Sequence, residues 1–529
     1  MSAGSPSRHD EVTGKQVGES GPDEAPVSKG SSSEGAEPTQ SLGKQVGRGA
    51  VWSVASNITM RFASIAVTAL LARLLTKEDF GIFAIALAVY LVVASLAELG
   101  MGSAIARSAK EPEDIAPTVM SISILASAGL SIGMYLGAPV LSSALGQPGA
   151  AQPIQILSLC LFLTGVFTVP GAQLVREFRQ DRIFLATVVG FLVANPLLVF
   201  MALNGGGATA FAWSRVLGQL ATGLVLYFST SCRYRPGWRS ECVGPLIRFG
   251  VPLSLANLVN WALLNADFMI LGRLVSAAEV GVYMIAFNVA SWTTALLGSV
   301  MNNVVVPAFG RVSADRAKLG DAFVSGIRLV ALLAFPIGAL TCALAAPLVL
   351  TVFGESWTEA VPVLSVLAVY GVLYTFSLLC VSVLVAAAKT GRLLAVQLIW
   401  IVVLVPAMVV GVELWSLQGV AWVHVITIGS IALPAYLFFV LRVASTSLMG
   451  LVRTVARPLL AAVVAGAVAW LTAQLFDASW LALGVGGLVG SAIYLVLVAP
   501  ALVQVVPARF VPNWLPARWR AAARPSTAS

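Results

Sequence analysis

From residue 46 onward, apolar positions come in long blocks without strict alternation, separated by short polar breaks. A block of about twenty such residues is the length of a helix that crosses a bilayer. A barrel strand would be shorter and would alternate its two faces. Taken block by block, the pattern gives fourteen spans, at 49–75, 80–101, 116–137, 153–174, 183–203, 208–228, 246–275, 281–306, 322–350, 361–388, 393–412, 418–440, 456–475 and 480–503. Backbone facing lipid must satisfy its own hydrogen bonds, so unalternated spans are helices. The pattern predicts an all-α, polytopic membrane protein of about 14 transmembrane helices.

The polar breaks sort by charge. Those after odd-numbered spans read "TKED", "GQPGAAQ", "NGGG", "SAAE", "GESWTE", "ELWSLQ" and "FDAS", and their only cation is Lys77. Arg73 and Arg273 sit at adjoining helix ends. Breaks after even-numbered spans, and the helix ends beside them, hold Arg107, Lys110, Arg176, Arg179, Arg182, Arg233, Arg235, Arg239, Arg311, Lys318, Lys389, Arg392, Arg442 and Arg453. The positive-inside rule then puts both termini in the cytoplasm.

Composition supports the same class. The chain is 58% hydrophobic and 11% charged, with a mean hydropathy of +0.89; a soluble domain carries about 25% charged residues. The net charge of +8 lies mostly where it orients spans, so nucleic-acid binding is not expected. Five cysteines, Cys160, Cys232, Cys242, Cys342 and Cys380, show neither metal nor disulfide spacing. Residues 1–45 are rich in Ser, Gly, Glu and Pro and lack the apolar core of a signal peptide; they read as a disordered cytoplasmic tail. "GKQVG" occurs there twice, at 14–18 and 43–47. The C-terminal segment 506–529 mixes Arg with Trp in "RFVPNWLPARWR" and is expected at the inner headgroup level. The external loops are short, and no Ser-His-Asp set, paired histidines, Walker loop or dinucleotide fingerprint is present. Enzymatic activity, cofactor and metal are therefore not expected, and ion gradients or substrate concentration remain as driving forces.

Within this framework one phrase is written twice: "LARLLTKEDFG" at 71–81 and "LGRLVSAAEVG" at 271–281. Between 48–89 and 248–289, eleven of 42 positions are identical without a gap, where chance in so apolar a composition gives roughly four. Six spans separate the copies, so both enter the membrane in the same direction. This is a parallel repeat: an N-terminal six-helix lobe at 46–228, a cytoplasmic linker at 229–245, a C-terminal six-helix lobe at 246–443, and two extra helices at 444–505.

Each copy carries a polar stripe at helical spacing. Span 1 has Ser53, Asn57, Arg61, Ser64 and Thr68; span 7 has Ser254, Asn257, Trp261 and Asn265; span 8 adds Asn288, Trp292, Ser299 and Asn302. Small polar residues also serve to glue helices together. Charged residues within spans are harder to place so, because each costs a few kcal/mol at the bilayer centre and favours a wet cavity or a partner. They are Arg61, Glu98, Arg215 and Asp267. Glu98 lies near a span end, where it can act as a cap. Arg61 and Asp267 either pair across the lobes or meet substrate separately. His424 reads as a packed, hydrogen-bonded residue rather than a proton relay. The candidate cavity residues are thus Asn57, Arg61, Arg215, Asn257, Trp261, Asn265, Asp267 and Asn288.

"ARLLTKEDFGIFAIA" (72–86), "LAELGMGSAIARSAKE" (96–111), "VVVPAFGRV" (304–312) and "VFGESWTEAVPVLSVLAVYGVL" (352–373) resemble the Wzx-type polysaccharide exporters, in particular the colanic-acid and amylovoran branch of the MOP transporter superfamily. The resemblance runs from about 45 to 445. It implies two six-helix lobes around a cavity that opens alternately to each side of the bacterial cytoplasmic membrane. It also implies an undecaprenyl-pyrophosphate-linked oligosaccharide as substrate, with membrane lipids and polysaccharide-assembly proteins as partners and a monomer as the working unit. Arg61 and Arg215 are the cations placed by chemistry to meet the pyrophosphate. Two rival readings are a multidrug cation antiporter of the same superfamily, which needs acidic cavity groups, and a membrane polysaccharide polymerase or ligase, which needs a large outer loop. The long N-terminal tail departs from the family pattern.

Overall fold

The computed structural model describes residues 60, 63–97, 105, 112–177, 179–301, 306–312 and 315–502, all within one compact unit, Ser56–Ser529. The expectations for the two terminal tails, Asn57, Arg61, Glu98 and Asn302 lie outside the described residues.

The helices in chain order are α1 (Ala63–Leu74), α2 (Lys77–Ala97), α3 (Pro112–Ala144), α4 (Ala151–Arg176), α5 (Gln180–Leu203), α6 (Gly207–Ser229), α7 (Ser240–Leu274) and α8 (Ala277–Val300). They continue as α9 (Val306–Val312), α10 (Arg316–Ala343), α11 (Ala345–Val352), α12 (Ala360–Ala386), α13 (Thr390–Thr427), α14 (Leu433–Val443), α15 (Leu448–Ala473) and α16 (Ser479–Leu502). No strand occurs among the described residues. Ten helical runs are long and apolar enough to cross a membrane. Outward positions such as Leu192, Phe200, Val402, Leu460 and Leu488 are large, apolar and more than half exposed, which fits a lipid-facing surface. The protein is an all-helical, multi-pass membrane protein. The helices α6 and α7 fall outside the ten; they carry Arg215 and Gln219, and Asn257, Asn265 and Asp267.

Helix ends depart from the hydropathy limits for identifiable reasons. The apolar block 322–350 is two helices, α10 and α11, with Leu344 between them at φ −104°, ψ 20°. Pro347, in the first turn of α11, has no N–H for the carbonyl four residues back, and its ring crowds that carbonyl. The segment Thr390–Val443 runs as one helical stretch of 54 residues but folds back at Trp415 and Ser416 (φ 49°, ψ −131°). The indole Nε1 of Trp400 reaches Thr427 Oγ1 at 3.3 Å, a contact a straight helix could not make across so many residues. The helix α7 starts at Ser240, inside the expected linker, because hydropathy locates the bilayer and not the first helical turn.

In the N-terminal half α3 packs on α4, α5 on α6 and α4 on α6; in the C-terminal half α12 packs on α8, α10 and α13. The halves meet where α2 lies along α8 and α7. The helices α15 and α16 pack on each other and on α10 and α11.

The repeated phrase builds that meeting point. Thr76 and Asp79 close a capping box at the start of α2: Thr76 N–H and O–H both donate to Asp79 Oδ2 (3.0 and 2.7 Å), and Asp79 N–H donates to Thr76 Oγ1 (3.2 Å). Ser276 and Glu279 do the same at α8, at 3.0, 2.8 and 3.3 Å. Two residues after each acid comes the glycine. A Cβ on Gly81 would strike the Ala277 carbonyl, and one on Gly281 would strike the Lys77 carbonyl. These contacts are reciprocal: Gly81 and Gly281, like Lys77 and Ala277, stand 200 positions apart. Each copy therefore packs backbone to backbone against its own mate.

Candidate functional site

The same end of the molecule carries further contacts across the halves. Gln147 Nε2, before α4, donates to the carbonyls of Gly272 (3.3 Å) and Val275 (3.1 Å) at the end of α7. Trp357 Nε1, before α12, donates to the Ala72 carbonyl near the end of α1 (2.9 Å). Arg73 reaches the Thr351 carbonyl (3.2 Å), and Lys77 pairs with Glu359 at 2.9 Å. Each half thus inserts its connection before α4 or α12 against the other half, the first at the end of α7 and the second near the end of α1.

Two polar clusters lie among the spans. In the N-terminal half, Arg215 on α6 sets its guanidinium 5.2 Å from the centre of the Tyr90 ring on α2, a cation–π approach. Its Nε is buried with no hydrogen-bond partner, and no carboxylate pairs with it among the described residues. One turn on, Gln219 Nε2 donates to Thr164 Oγ1 (3.2 Å), which donates to the Cys160 carbonyl (2.8 Å). The site offers a fixed positive charge in a low-dielectric setting.

In the C-terminal half Asp267 on α7 is 2% exposed. Tyr283 O–H on α8 donates to its Oδ2 at 3.0 Å, and Phe268 N–H donates to its Oδ1 at 2.9 Å. His424 on α13, also buried, brings Nε2 to 3.7 Å from the same Oδ2, beyond hydrogen-bond length. Its ring packs on Tyr370 of α12, with centroids 4.7 Å apart. Neither ring nitrogen has a hydrogen-bond partner among the described residues. The expectation of a packed, hydrogen-bonded histidine is thus corrected in its second half: the ring is packed but not bonded.

Of the other candidates, Asn265 is buried and donates to the Trp261 carbonyl of its own helix (2.8 Å). Trp261 and Asn288 are exposed, and Asn257 is half-buried. Arg215 and Asp267 form no ion pair with each other. Tyr90, Tyr283 and Tyr370 escaped the sequence reading because aromatic residues in spans read as packing. One signal was available: "AWSRV" at 212–216 recurs as "AWVHV" at 421–425, making Arg215 and His424 mates 209 positions apart. The same offset relates Gly207 (φ 51°) to Ser416 (φ 49°) at the turns that open those helices. Outside the spans, Tyr234 donates to Glu113 (3.0 Å), and partial burial with that carboxylate pushes its phenol up to about 12.

Known proteins of this shape and sequence give the context. The chain is 27% identical over 467 residues to the succinoglycan biosynthesis transport protein ExoT of Rhizobium meliloti (strain 1021), covering 86% of this chain and 93% of that protein. The inward closed conformation of the lipid II flippase MurJ superposes with a TM-score of 0.67 at 14% identity, over 84% of this chain and 98% of MurJ. An inward-facing multidrug resistance MATE family transporter of the MOP superfamily superposes with a TM-score of 0.61 at 20% identity, over 72% of this chain and 93% of that one. These two structures establish the fold. The family model described as polysaccharide biosynthesis protein matches residues 70–362. That match covers more than half of the sequence, and the chain belongs to the polysaccharide biosynthesis protein family, a family of membrane transporters rather than enzymes.

Proposed function

We propose that the chain is an alternating-access flippase that moves undecaprenyl-pyrophosphate-linked oligosaccharide units across the bacterial cytoplasmic membrane for cell-surface polysaccharide. In this reading the helices make fourteen spans with both termini in the cytoplasm. Twelve of them form two six-helix lobes, 46–228 and 246–443, joined by the linker 229–245, and the spans within 444–505 are an addition. The monomer is the working unit, with membrane lipids around it and polysaccharide-assembly proteins as partners. Among relatives, the colanic-acid and amylovoran exporters are the branch we favour. The charge bias puts the starts of α2 and α8 at the outer end. The reciprocal glycine crossing then closes the outer side in the present conformation.

The observation that carries the reading is Arg215: a guanidinium in a span, partly unbonded and, among the described residues, without a carboxylate. An unpaired charge in a span, half-buried as Arg215 is, is unfavourable unless an anion or water completes it, and a forked guanidinium suits a pyrophosphate. Arg61 is a second such cation in our reading, with Asn57, Asn257, Trp261, Asn265 and Asn288 lining the path of the sugars. A cavity of about 910 Å³ between α10, α12, α14 and α15 suits the polyprenyl tail. It is walled by apolar residues, among them Phe335, Val372, Phe376, Leu437, Leu459 and Trp470. The burial of Asp267 counts against a multidrug cation antiporter, which needs its acid open to the ligand.

Deleting the gene is expected to trap complete lipid-linked repeat units on the cytoplasmic face and to abolish surface polysaccharide. Surface polysaccharide at wild-type level, with no trapped intermediate, refutes the function. Arg61→Ala is expected to abolish export at normal membrane abundance, with Arg61→Lys recovering part of it.

A further inference from the structure

We propose that Gln219 is a specificity-determining residue of the head-group site: its side-chain amide contacts the sugar next to the pyrophosphate that Arg215 holds, and so separates a loaded carrier from an empty one. The inference rests on the flippase reading and deepens it, because it sets the sugar on one side of the phosphate and names the group that meets it.

The row of side chains along α6 supplies the first reason. Phe211, Arg215 and Gln219 recur at helical spacing on one face, each about 6 Å along the axis from the next. Phe211 is buried: its ring stacks on Phe83 of α2 with centroids 4.7 Å apart and meets Phe80 edge-on at 5.0 Å. Trp357, from the C-terminal half, packs on Phe80 in turn at 5.2 Å. Toward the start of α6, then, the neighbours of Arg215 are phenylalanine rings, which offer a sugar hydroxyl no conventional hydrogen bond. Toward its end the same face turns polar. Gln219 is half-buried and bonded to Thr164 of α4, and Thr168 follows one turn further along α4.

The hydrogen bonds fix which atom of the amide is on offer. The Thr164 hydroxyl proton is spent on the Cys160 carbonyl (2.8 Å), so the Thr164 oxygen can only accept from Gln219, and the atom facing it at 3.2 Å is the donor Nε2. That leaves the carbonyl Oε1 with no donor among the described residues, and, unlike Arg215 Nε, it is not sealed inside the protein. An open carbonyl oxygen one turn from a guanidinium is complementary to a glycosyl phosphate. Ionised phosphate oxygens only accept and take the N–H groups of arginine, whereas sugar hydroxyls also donate and need an acceptor. The second N–H of Nε2 can return a bond to an oxygen of the same sugar.

Discrimination needs such a group. A loaded carrier and a bare one share the pyrophosphate and the polyprenyl chain, so neither Arg215 nor the apolar cavity can tell them apart. A contact on the sugar side can, because the bare carrier leaves Oε1 without a donor. In the topology proposed above, the end of α6 faces the cytoplasm. The sugar then stands on the side from which the head group enters while the glycine crossing closes the outer side. A bond that only tied α4 to α6 would give both of its partners, Gln219 and Thr164, the same effect on every ligand.

The test titrates the full-length chain, purified in detergent, and follows its thermal stabilisation. One probe is undecaprenyl pyrophosphate without sugar; the other is the polyprenyl-linked sugar fraction extracted from the deletion strain. The wild-type chain should bind the fraction about tenfold more tightly than the bare carrier, the worth of one well-placed hydrogen bond. Gln219→Leu should bring that ratio to about one, since an alkyl chain offers the sugar no acceptor. Gln219→Met, similar in length to the native side chain, stands in should the leucine variant fail to accumulate. Thr164→Val cuts the bond between α4 and α6 but leaves the amide, and should keep a ratio of at least about threefold. Arg215→Ala should weaken both probes together. A wild-type ratio near one overturns the proposal, and so does a ratio that Gln219→Leu or Gln219→Met leaves unchanged. Loss of the ratio in Thr164→Val to the same degree as in Gln219→Leu also overturns it, because the bond between the helices would then be the whole role. If the wild-type chain binds neither probe, or the deletion strain yields no such fraction, the flippase reading fails instead.

Discussion

The two halves of this transporter agree at their rims and differ in their interiors. At the rim, Thr76 and Asp79 match Ser276 and Glu279 bond for bond, and Gly81 matches Gly281 contact for contact. In the interior, Arg215 lies by an aromatic ring with no acid paired to it among the described residues, while its mate His424 stands by Asp267. A duplicated scaffold must keep the contacts that each copy makes with the other, because a change in one disturbs both. The cavity positions carry no such constraint. Position 67, the mate of Asp267, holds a valine, and position 83, the mate of Tyr283, holds a phenylalanine.

The largest effect should come from filling the crossing. Gly81→Leu and Gly281→Leu each drive a side chain into the opposite backbone, where neither a rotamer nor a small shift relieves the clash. Both variants should lose most of their membrane abundance and all export, and to equal degrees. Quantitative immunoblotting of membranes, with surface polysaccharide measured beside it, checks this. Normal abundance for one variant alone would break the symmetry.

Next comes the interior. Arg215→Ala should weaken binding of the polyprenyl-linked sugar fraction by about thirtyfold, the loss expected when a charged partner that the ligand desolvates is removed. Arg215→Lys should recover part of it, because lysine keeps the charge and loses the fork. Thermal stabilisation of the detergent-purified protein by the extract reads both. Arg215→His makes the N-terminal site resemble its mate. Without a carboxylate beside it, that imidazole should not restore binding.

The sequence carried the all-helical membrane class, since long unalternated apolar blocks leave little choice but helices, and the doubled phrase around Gly81 and Gly281 pointed to the place where α2 meets α8. It did not carry the reason for the repeat. That the acid caps and the glycine crosses appears only when α2 and α8 are laid together. The bend at Leu344 was written in Pro347 but hidden inside a continuous apolar run. The site was the least legible part. Arg215 stood out as a charge in a span, whereas Asp267 gave no hint of its partners, because Tyr283, Tyr370 and His424 come from three other helices. The "AWSRV" and "AWVHV" mates lay at an offset of 209, not 200, so an ungapped comparison of the first spans could not reach them.

The smallest effects separate the two rims, which are alike but not identical. Asp79 uses its second oxygen, Oδ1, to accept the backbone N–H of Ala208 at 3.1 Å, in the first turn of α6. Glu279 uses its second oxygen, Oε1, to accept the Ser416 hydroxyl at 3.3 Å. Losing a cap costs about 1 kcal/mol. Asp79→Ala additionally strands a backbone donor at a helix start, a further penalty of about 1 kcal/mol or more, whereas the Ser416 hydroxyl freed by Glu279→Ala can turn to water. Asp79→Ala should therefore lower the melting temperature of the purified protein about twice as far as Glu279→Ala. The turn residues complete the comparison. At φ near +50°, Gly207 is at ease, while Ser416 holds a conformation that favours glycine. Ser416→Gly removes that strain, worth roughly 1 kcal/mol, and gives up one long hydrogen bond worth less. A small rise in melting temperature with export unchanged is the expected result. A fall would mean that the Glu279–Ser416 contact holds the turn more firmly than its length implies.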